Sequence, residues 1–271
     1  MKRAMIYIFL MIGMIGMMGC RNSQPVTPLH QQTVPVISHY VTNNFPHDTS
    51  LFTEGFLFHA GRLVESTGAP LQLTNTRSLI GIQDLKTGTL DIKVVLDKAK
   101  YFGEGIAILK GKLYQLTYKN QLGFIYDAST FKKISEFKYA NLEGWGLTTD
   151  DRSLIMSDGT DNITYISPNT MSPLKTISVT ENGQPLTQLN ELEFIKGYIY
   201  ANVYGTSFIV KIDPSNGDVV GKLDLTKVAV TEKNMNSGAA EMNGIAYDPI
   251  ADKVYITGKL WAHIYEIDFN K

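Results

Sequence analysis

Residues 104–117 read EGIAILKGKLYQLT, and this stretch decides the fold. A short apolar run from Glu104 to Leu109 is followed by the turn Lys110-Gly111 and by a second apolar run that ends at Thr117. Short runs of this kind, joined by a glycine turn, are typical of two antiparallel strands. The stretch therefore predicts a β-hairpin.

The same hairpin recurs along the chain at regular intervals. Its first strand starts at residues 54, 104, 145, 190 and 243, which gives spacings of 50, 41, 45 and 53 residues. The second strand starts 9 residues later in four copies and 11 residues later in the last, where Asp248-Pro249 lengthens the turn. A third strand follows each copy, at residues 80–85, 124–128, 163–168, 208–213 and 264–269. Five such repeats predict an all-β fold, a five-bladed β-propeller.

The two ends of the repeat region indicate how the ring closes. The last repeat stops after its third strand, whereas Val34 to Val41 is an additional strand-like run ahead of the first repeat. We therefore predict that the ring is closed by an N-terminal strand that joins the last blade, within a propeller domain at residues 35–271. An antiparallel sandwich is the alternative for these strands, although sandwich strands carry no such internal repeat.

The first residues of the chain resemble an export signal with a lipid-attachment site. Lys2 and Arg3 precede an uncharged, mostly apolar run from Ala4 to Gly19, and Cys20 follows directly. This order predicts a signal peptide at residues 1–19, lipidation of Cys20 and a flexible tether at residues 20–34. A retained anchor helix is the alternative, but 16 residues are few for a membrane span.

The lipid-anchor interpretation sets the expected location of the protein. We expect an exported protein that is bound to a membrane through Cys20 and that faces the periplasm or the cell surface. Arg21, rather than aspartate, follows Cys20 and weakly favours the outer membrane.

Charge and cysteine content exclude several classes of function. Removal of the signal peptide leaves 23 basic and 26 acidic residues, and this acidic balance argues against nucleic acid as a partner. Cys20 is the only cysteine, so no internal disulfide can form. The sequence contains no metal-ligand spacing, no nucleophile triad and no phosphate-binding loop, and we predict neither a metal nor a cofactor. His47 and Asp48 are expected to secure the start of the first blade.

The repeat also predicts where a site lies, because equivalent positions of all blades converge on the propeller axis. The first residue of each repeat is polar or aromatic: Glu54, Glu104, Trp145, Asn190 and Asn243. The equivalent position near the end of each second strand is Gly68, Tyr118, Gly159, Tyr204 and Lys259. Carboxyl, amide, aromatic and lysine groups at one mouth are typical of a small polar pocket with aromatic walls. Singly, each residue could instead bond turn backbone, pack between blades or extend to solvent.

Ten short motifs, in this order along the chain, resemble those of the plant-type and bacterial glutamine cyclotransferases. The motifs are FPHD (45–48), FTEG (52–55), FGEG (102–105), LYQLTY (113–118), EGWGLT (143–148), LIMSDG (154–159), LNELE (189–193), IYANVY (199–204), MNGIAYD (242–248) and TGKLW (257–261). The likeness extends from about Val41 to Phe269. It implies a five-bladed propeller that acts on peptides or proteins with an N-terminal glutamine and converts this residue to pyroglutamate.

The resemblance also implies a role for each candidate residue. Glu104 matches the catalytic carboxyl, whereas Asn190 and Lys259 match the groups that hold the substrate amide and stabilise the oxyanion. The substrate-binding positions are Glu54, Phe102, Tyr118, Trp145, Tyr204 and Asn243. Glu54 stands where many family members have glutamine, and Tyr118 and Tyr204 stand where better-known members have tryptophan.

Two other functions are compatible with the same pocket. A non-catalytic propeller could bind peptide N-termini or sugars in the channel. A metal-dependent propeller hydrolase, such as a lactonase, would need more clustered carboxylates than Glu54 and Glu104.

Overall fold

The computed structural model describes residues 33–271. These residues form 22 β-strands and one α-helix. The strands before the helix are β1 (His39–Pro46), β2 (Phe52–His59), β3 (Arg62–Gly68), β4 (Leu79–Gln83), β5 (Leu90–Val95), β6 (Gly103–Leu109), β7 (Lys112–Thr117), β8 (Leu122–Asp127), β9 (Lys133–Lys138), β10 (Leu147–Thr149), β11 (Leu154–Ser157), β12 (Asn162–Ile166), β13 (Pro173–Ser178), β14 (Thr180–Glu181), β15 (Gln184–Pro185), β16 (Leu189–Ile195), β17 (Tyr198–Val203), β18 (Phe208–Ile212) and β19 (Val219–Asp224). They are followed by α1 (Thr226–Met235), β20 (Met242–Asp248), β21 (Lys253–Gly258) and β22 (His263–Phe269).

Five antiparallel sheets of four strands are the blades of a propeller, which confirms the predicted fold class. Blades 1 to 4 are β2–β5, β6–β9, β10–β13 and β16–β19, and blade 5 has the order β1-β22-β21-β20. The inner strands β2, β6, β10, β16 and β20 pack against one another around the axis. Apolar side chains fill the spaces between neighbouring blades in successive clusters.

The ring closes as predicted, but with a different strand boundary. β1 pairs antiparallel with β22, from His39 opposite Phe269 to Pro46 opposite His263. The strand-like run predicted at Val34 to Val41 is therefore wrong in its position. Its first half lies along blade 4 instead, where the backbone of Pro35 and Ile37 bonds Lys222 of β19. Ile37 packs there over Gly221, which has no side chain of its own.

The inner strands lie close to one another at the position one residue after the start of each repeat. Four blades have glycine at this position: Gly55, Gly105, Gly146 and Gly244. A Cβ on Gly146 would lie 2.0 Å from the carbonyl oxygen of Asn190, so no larger residue fits. Blade 4 has the fully buried Glu191 instead. Its carboxylate accepts the N–H groups of Phe56 at 3.1 Å and Ile245 at 2.8 Å, and thus connects blade 4 to blades 1 and 5.

The helix α1 is an insertion between blades 4 and 5, which the sequence patterns did not predict. It occupies part of the longest spacing between repeats, and it buries Val228 and Glu232. At ten residues it is too short to cross a bilayer, and no described helix has the length and hydropathy of a membrane span. The predicted signal peptide, Cys20 and nearly all of the tether lie outside the described residues.

Candidate active site

A cavity of about 210 Å³ lies at one mouth of the ring, where the repeats begin. Its lining comprises Phe52, Glu54, Pro70, Phe102, Glu104, Tyr118, Trp145, Asn190, Tyr204 and Lys259. Eight of these residues were predicted from the repeat or the resemblance, and the structure brings them together. Phe52 and Pro70 were not predicted. Phe52 precedes Glu54 by two residues, as Phe102 precedes Glu104, and this parallel could have identified it.

Local irregularities of the inner strands direct the polar side chains into the cavity. The strand register shifts at the start of β2, β6, β16 and β20, where an extra residue forms a bulge. Bulges re-aim side chains and are frequent beside active sites. Bonds between blades then fix the backbone, since Ser66 donates to the carbonyl of Glu104 at 2.7 Å and Ser157 donates to that of Asn190 at 2.7 Å.

Lys259 and Glu54 form a buried ion pair at the wall of the cavity. The Nζ atom of Lys259 lies 2.8 Å from Oε1 of Glu54, and both side chains are less than one-tenth exposed. Burial raises the pKa of Glu54 to about 7, although Lys259 opposes this shift. Burial lowers the pKa of Lys259, but the carboxylates of Glu54 and Glu104 outweigh burial and raise it, so the lysine stays charged.

Glu104 is the second carboxyl of the cavity and is only 5 % exposed. Burial raises its pKa well above the ordinary range, the negative charge of Glu54 raises it further, and Lys259 acts in the opposite direction. The upward shift brings the pKa of Glu104 closer to neutral pH than that of an exposed glutamate. A carboxyl with a raised pKa is suited to accept a proton and to deliver one later.

Aromatic side chains form the remaining walls. The rings of Trp145 and Tyr204 meet edge to face at 5.7 Å, and Phe102 meets Tyr118 at 5.9 Å. The glycines at the equivalent second-strand positions make room for them, since a Cβ on Gly68 would overlap Phe102 and one on Gly159 would crowd Trp145.

Glu143 orients one of these walls, although sequence reasoning did not select it as a site residue. Its Oε2 accepts the indole N–H of Trp145 at 2.9 Å, and its Oε1 lies 3.3 Å from Nζ of Lys119. The nitrogen of Lys119 in turn lies 4.5 Å from the centre of the Tyr118 ring. The Lys119–Glu143 pair thus connects two aromatic walls at the rim of the cavity.

The two predicted asparagines have different positions. Asn190 lines the cavity, and its Oδ1 atom has no hydrogen-bond partner among the described residues. Asn243 does not line the cavity. Its Nδ2 donates to Oε2 of Glu54 at 3.1 Å and to the carbonyl of Thr53 at 3.0 Å, so it supports Glu54 from behind.

Together these groups suit a small, flat, polar ligand such as a carboxamide. The carboxyl of Glu104 can transfer a proton. The ammonium of Lys259 and the amide of Asn190 can bind an oxygen that gains negative charge. The aromatic rings exclude water from the cavity. Among residues 33–271, no three His, Cys, Asp or Glu side chains are arranged to hold a metal ion.

Comparison with known proteins agrees with this geometry. The sequence profile of the glutamine cyclotransferase family matches residues 12–269. The glutaminyl-peptide cyclotransferase of Arabidopsis thaliana is 37 % identical over 234 residues, which are 85 % of this chain and 71 % of the plant protein. The crystal structure of Myxococcus xanthus glutaminyl cyclase matches with a TM-score of 0.77 and 31 % identity, covering 87 % of this chain and 98 % of the bacterial one. The chain therefore belongs to the glutamine cyclotransferase family, a family of acyltransferase enzymes.

Proposed function

We propose that this enzyme converts the N-terminal glutamine of peptides or proteins to pyroglutamate and releases ammonia. The observation that carries the proposal is the buried carboxyl of Glu104 in the same cavity as the Lys259–Glu54 ion pair. These groups line a cavity of about 210 Å³, which is suited to one small side chain rather than to a longer peptide segment.

In the proposed reaction the α-amine nitrogen of the substrate attacks the Cδ atom of its own side-chain amide. One C–N bond forms to close the five-membered ring, and the C–N bond to the amide nitrogen breaks. Glu104 takes the proton that the attacking amine loses and delivers a proton to the departing nitrogen, which leaves as ammonia. No oxidant or other co-reactant is needed, because the ring closure is intramolecular and its atoms balance.

Lys259 and Asn190 are proposed to bind the amide oxygen of the substrate. This oxygen gains negative charge as the amine attacks, and a cation held in a buried site stabilises such charge strongly. Lys259 supplies that cation because its two carboxyl neighbours keep it protonated. The Nδ2 group of Asn190 is the proposed donor to this oxygen, and its Oδ1, which has no partner among the described residues, can accept an N–H of the substrate.

The aromatic walls are proposed to hold glutamine in its folded conformer. Rings of Phe102, Tyr118, Trp145 and Tyr204 surround the cavity and leave room for one side chain. Exclusion of water favours attack by the internal amine over hydrolysis of the amide.

Mass spectrometry tests the proposed function directly. The purified protein is incubated with a peptide that starts with glutamine, and we expect a mass loss equal to one ammonia with formation of a pyroglutamyl terminus. The same peptide with an acetylated N-terminus should remain unchanged because its nitrogen cannot attack. Release of ammonia from both peptides would indicate an amidase, and release from neither would refute the proposal.

The pKa of Glu54 predicts the acid side of the pH profile. Below about pH 7 Glu54 becomes protonated and Lys259 loses its charged partner, so we expect kcat to fall as the pH drops through this range. The side chain of Glu54→Gln is neutral at every pH, so we expect a kcat that is low throughout and the absence of the decline near pH 7 in the variant. The measurement is kcat against pH for both proteins with one substrate, and superimposable profiles would assign the decline to another group.

We further propose that the protein is exported and anchored to a membrane through a lipid on Cys20. The support is the order of a basic start, an apolar run and a single cysteine after Gly19. Cys20→Ser is expected to move the protein from the membrane fraction to the soluble fraction after cell lysis. A variant that stays membrane-bound would favour a retained anchor helix instead.

A further inference from the structure

Lys259 is carried by a four-residue turn, 259–262, that connects β21 to β22. The next residue, Leu260, has a φ of 60°, in the left-handed region that favours glycine. A residue other than glycine holds this conformation only where its surroundings enforce it, and such strain is frequent at functional sites. The turn therefore requires strong external support.

Every backbone N–H and C=O group of the turn is hydrogen-bonded. Five of the eight partners are backbone atoms of His47, Leu51, Ala240, Glu241 and Gly258. The other three partners are side chains: Glu232, Asn236 and His47. A connecting turn at the surface normally leaves several of its polar groups to water. This turn is fixed by protein on all sides.

Glu232 belongs to the inserted helix α1 and is fully buried. Its Oε2 accepts the N–H of Ala262 at 2.7 Å, and its Oε1 accepts from Nδ1 of His263 at 2.8 Å and from the hydroxyl of Tyr265 at 2.5 Å. One carboxylate thus holds the last residue of the turn and the first part of β22.

Asn236, at the C-terminal cap of α1, holds the strained residue itself. Its Nδ2 donates to the carbonyl of Leu260 at 2.7 Å. Its Oδ1 accepts the N–H of Gly238 at 3.0 Å, which fixes the orientation of the amide. Asn236 and Glu232 are four residues apart and therefore lie on one face of the helix end.

His47 supports the turn from the opposite direction. Its Nδ1 lies 2.8 Å from the carbonyl of Trp261, and its Nε2 lies 3.1 Å from Oε2 of Glu65. The carbonyl of Trp261 requires an N–H at Nδ1, and a proton on Nε2 would be shared with Glu65. Burial lowers the pKa of His47, but the carboxylate of Glu65 outweighs it and the net shift is upward. Glu65 also accepts the hydroxyl of Thr53 at 2.7 Å, next to Glu54.

We propose that Glu232, Asn236 and His47 are positioning residues for Lys259, and that the inserted helix α1 sets the place of its ammonium group in the active site. The proposal rests on the role of Lys259 in the proposed function. The connection that contains α1 also bonds Lys259 directly, since Ala240 donates to the carbonyl of Lys259 and the carbonyl of Glu241 accepts the N–H of Lys259. A displacement of the ammonium by about 1 Å is enough to lower turnover by up to about 10²-fold.

A double-mutant cycle tests the proposal. Asn236→Ala is expected to lower kcat/KM by about 10- to 100-fold, mainly through kcat. The same substitution in a Lys259→Ala background should cause no further loss, because Asn236 acts through Lys259. Lys227→Ala, at an exposed position of the same helix, is the matched control and should retain wild-type kinetics.

Two readouts separate positioning from a general loss of structure. The charge of Lys259 lowers the pKa of Glu54, so a displaced Lys259 raises this pKa. Asn236→Ala should therefore move the acid decline of kcat to higher pH. A variant that is only less stable would keep the wild-type pH profile. The ammonium signal of ¹⁵N-labelled Lys259, assigned by its loss in Lys259→Ala, should shift in Asn236→Ala and not in Lys227→Ala. This readout does not depend on activity.

The outcomes distinguish this proposal from the proposed function. An Asn236→Ala variant with an unchanged ammonium signal and unchanged kinetics would overturn the positioning role, while a large loss in Lys259→Ala would leave the function intact. The positioning role would also be overturned if Asn236→Ala lowered kcat/KM by the same factor in the wild-type and the Lys259→Ala backgrounds. Glu232→Gln is the second variant and should reproduce the shifts. Thermal unfolding of every variant verifies that it is folded at the assay temperature.

Discussion

Glu104→Gln is expected to lower kcat for cyclisation of a glutaminyl peptide by about 10²–10⁴-fold, with little change in KM. Glutamine has the volume and shape of the carboxyl group but can neither accept the amine proton nor deliver one to the leaving nitrogen. The effect should be large because Glu104 is the proposed proton carrier of the cavity, and burial and the charge of Glu54 raise its pKa well above the usual range. Steady-state kinetics with the ammonia or pyroglutamate product as readout measure it.

Two comparisons make this expectation specific to Glu104. Glu136→Gln, at an exposed position of β9, should behave as wild type. Thermal unfolding of Glu104→Gln should match or exceed that of the wild type, since a buried ionisable group is replaced by a neutral one. If Glu104→Gln turned over at more than about a tenth of the wild-type rate, another group would have to carry the proton.

The second large effect concerns stability rather than chemistry. Glu191→Ala is expected to lower the free energy of unfolding by about 3–5 kcal/mol. The substitution leaves the N–H groups of Phe56 and Ile245 buried without an acceptor and removes the bond between three blades. Denaturant-induced unfolding, followed by fluorescence, measures the change.

Glu191→Gly tests whether the hydrogen bonds of this carboxyl group, rather than the space that its side chain fills, stabilise the ring. Glycine is the residue that the other four blades have at this position, for example Gly55 and Gly105. We nevertheless expect Glu191→Gly to be at least as destabilising as Glu191→Ala, because the two N–H groups depend on this one side chain. A loss below about 1 kcal/mol in both variants would show that water replaces the carboxylate without cost.

The blades could be predicted from the sequence because the repeat is a local pattern. Each hairpin has its own turn and its own apolar strands, so residues 54–67 or 104–117 indicate a blade without reference to the others. The closing strand depends on a partner more than 200 residues away, and its bounds follow from the pairing with β22, from His39 opposite Phe269 to Pro46 opposite His263. This is why the predicted boundary at Val34 was wrong. The helix α1 was missed because only Val228 and Glu232 of its residues are buried.

The polar part of the site was predictable for the same reason as the blades. Equivalent positions on five inner strands meet at one mouth of the propeller. The repeat alone therefore assigns Glu54, Glu104 and Asn190 to one site. Pro70 belongs to a connecting loop, for which the repeat predicts no position. Glu143 precedes Trp145 by two residues, as Phe52 precedes Glu54, so the repeat gives its position but not its bond to the indole. Asn243 follows the repeat but lies behind Glu54, since the side chain of Glu54 occupies the space in front of it.

The pairing of β1 with β22 constrains how the protein is made. The first strand of the propeller to leave the ribosome has β22 as its partner, so blade 5 cannot form until β22 has been synthesised. Until then β1 remains an unpaired edge, and such edges associate with other chains. Ring closure is therefore a late step of folding, and the first four blades are made before their ring can be completed.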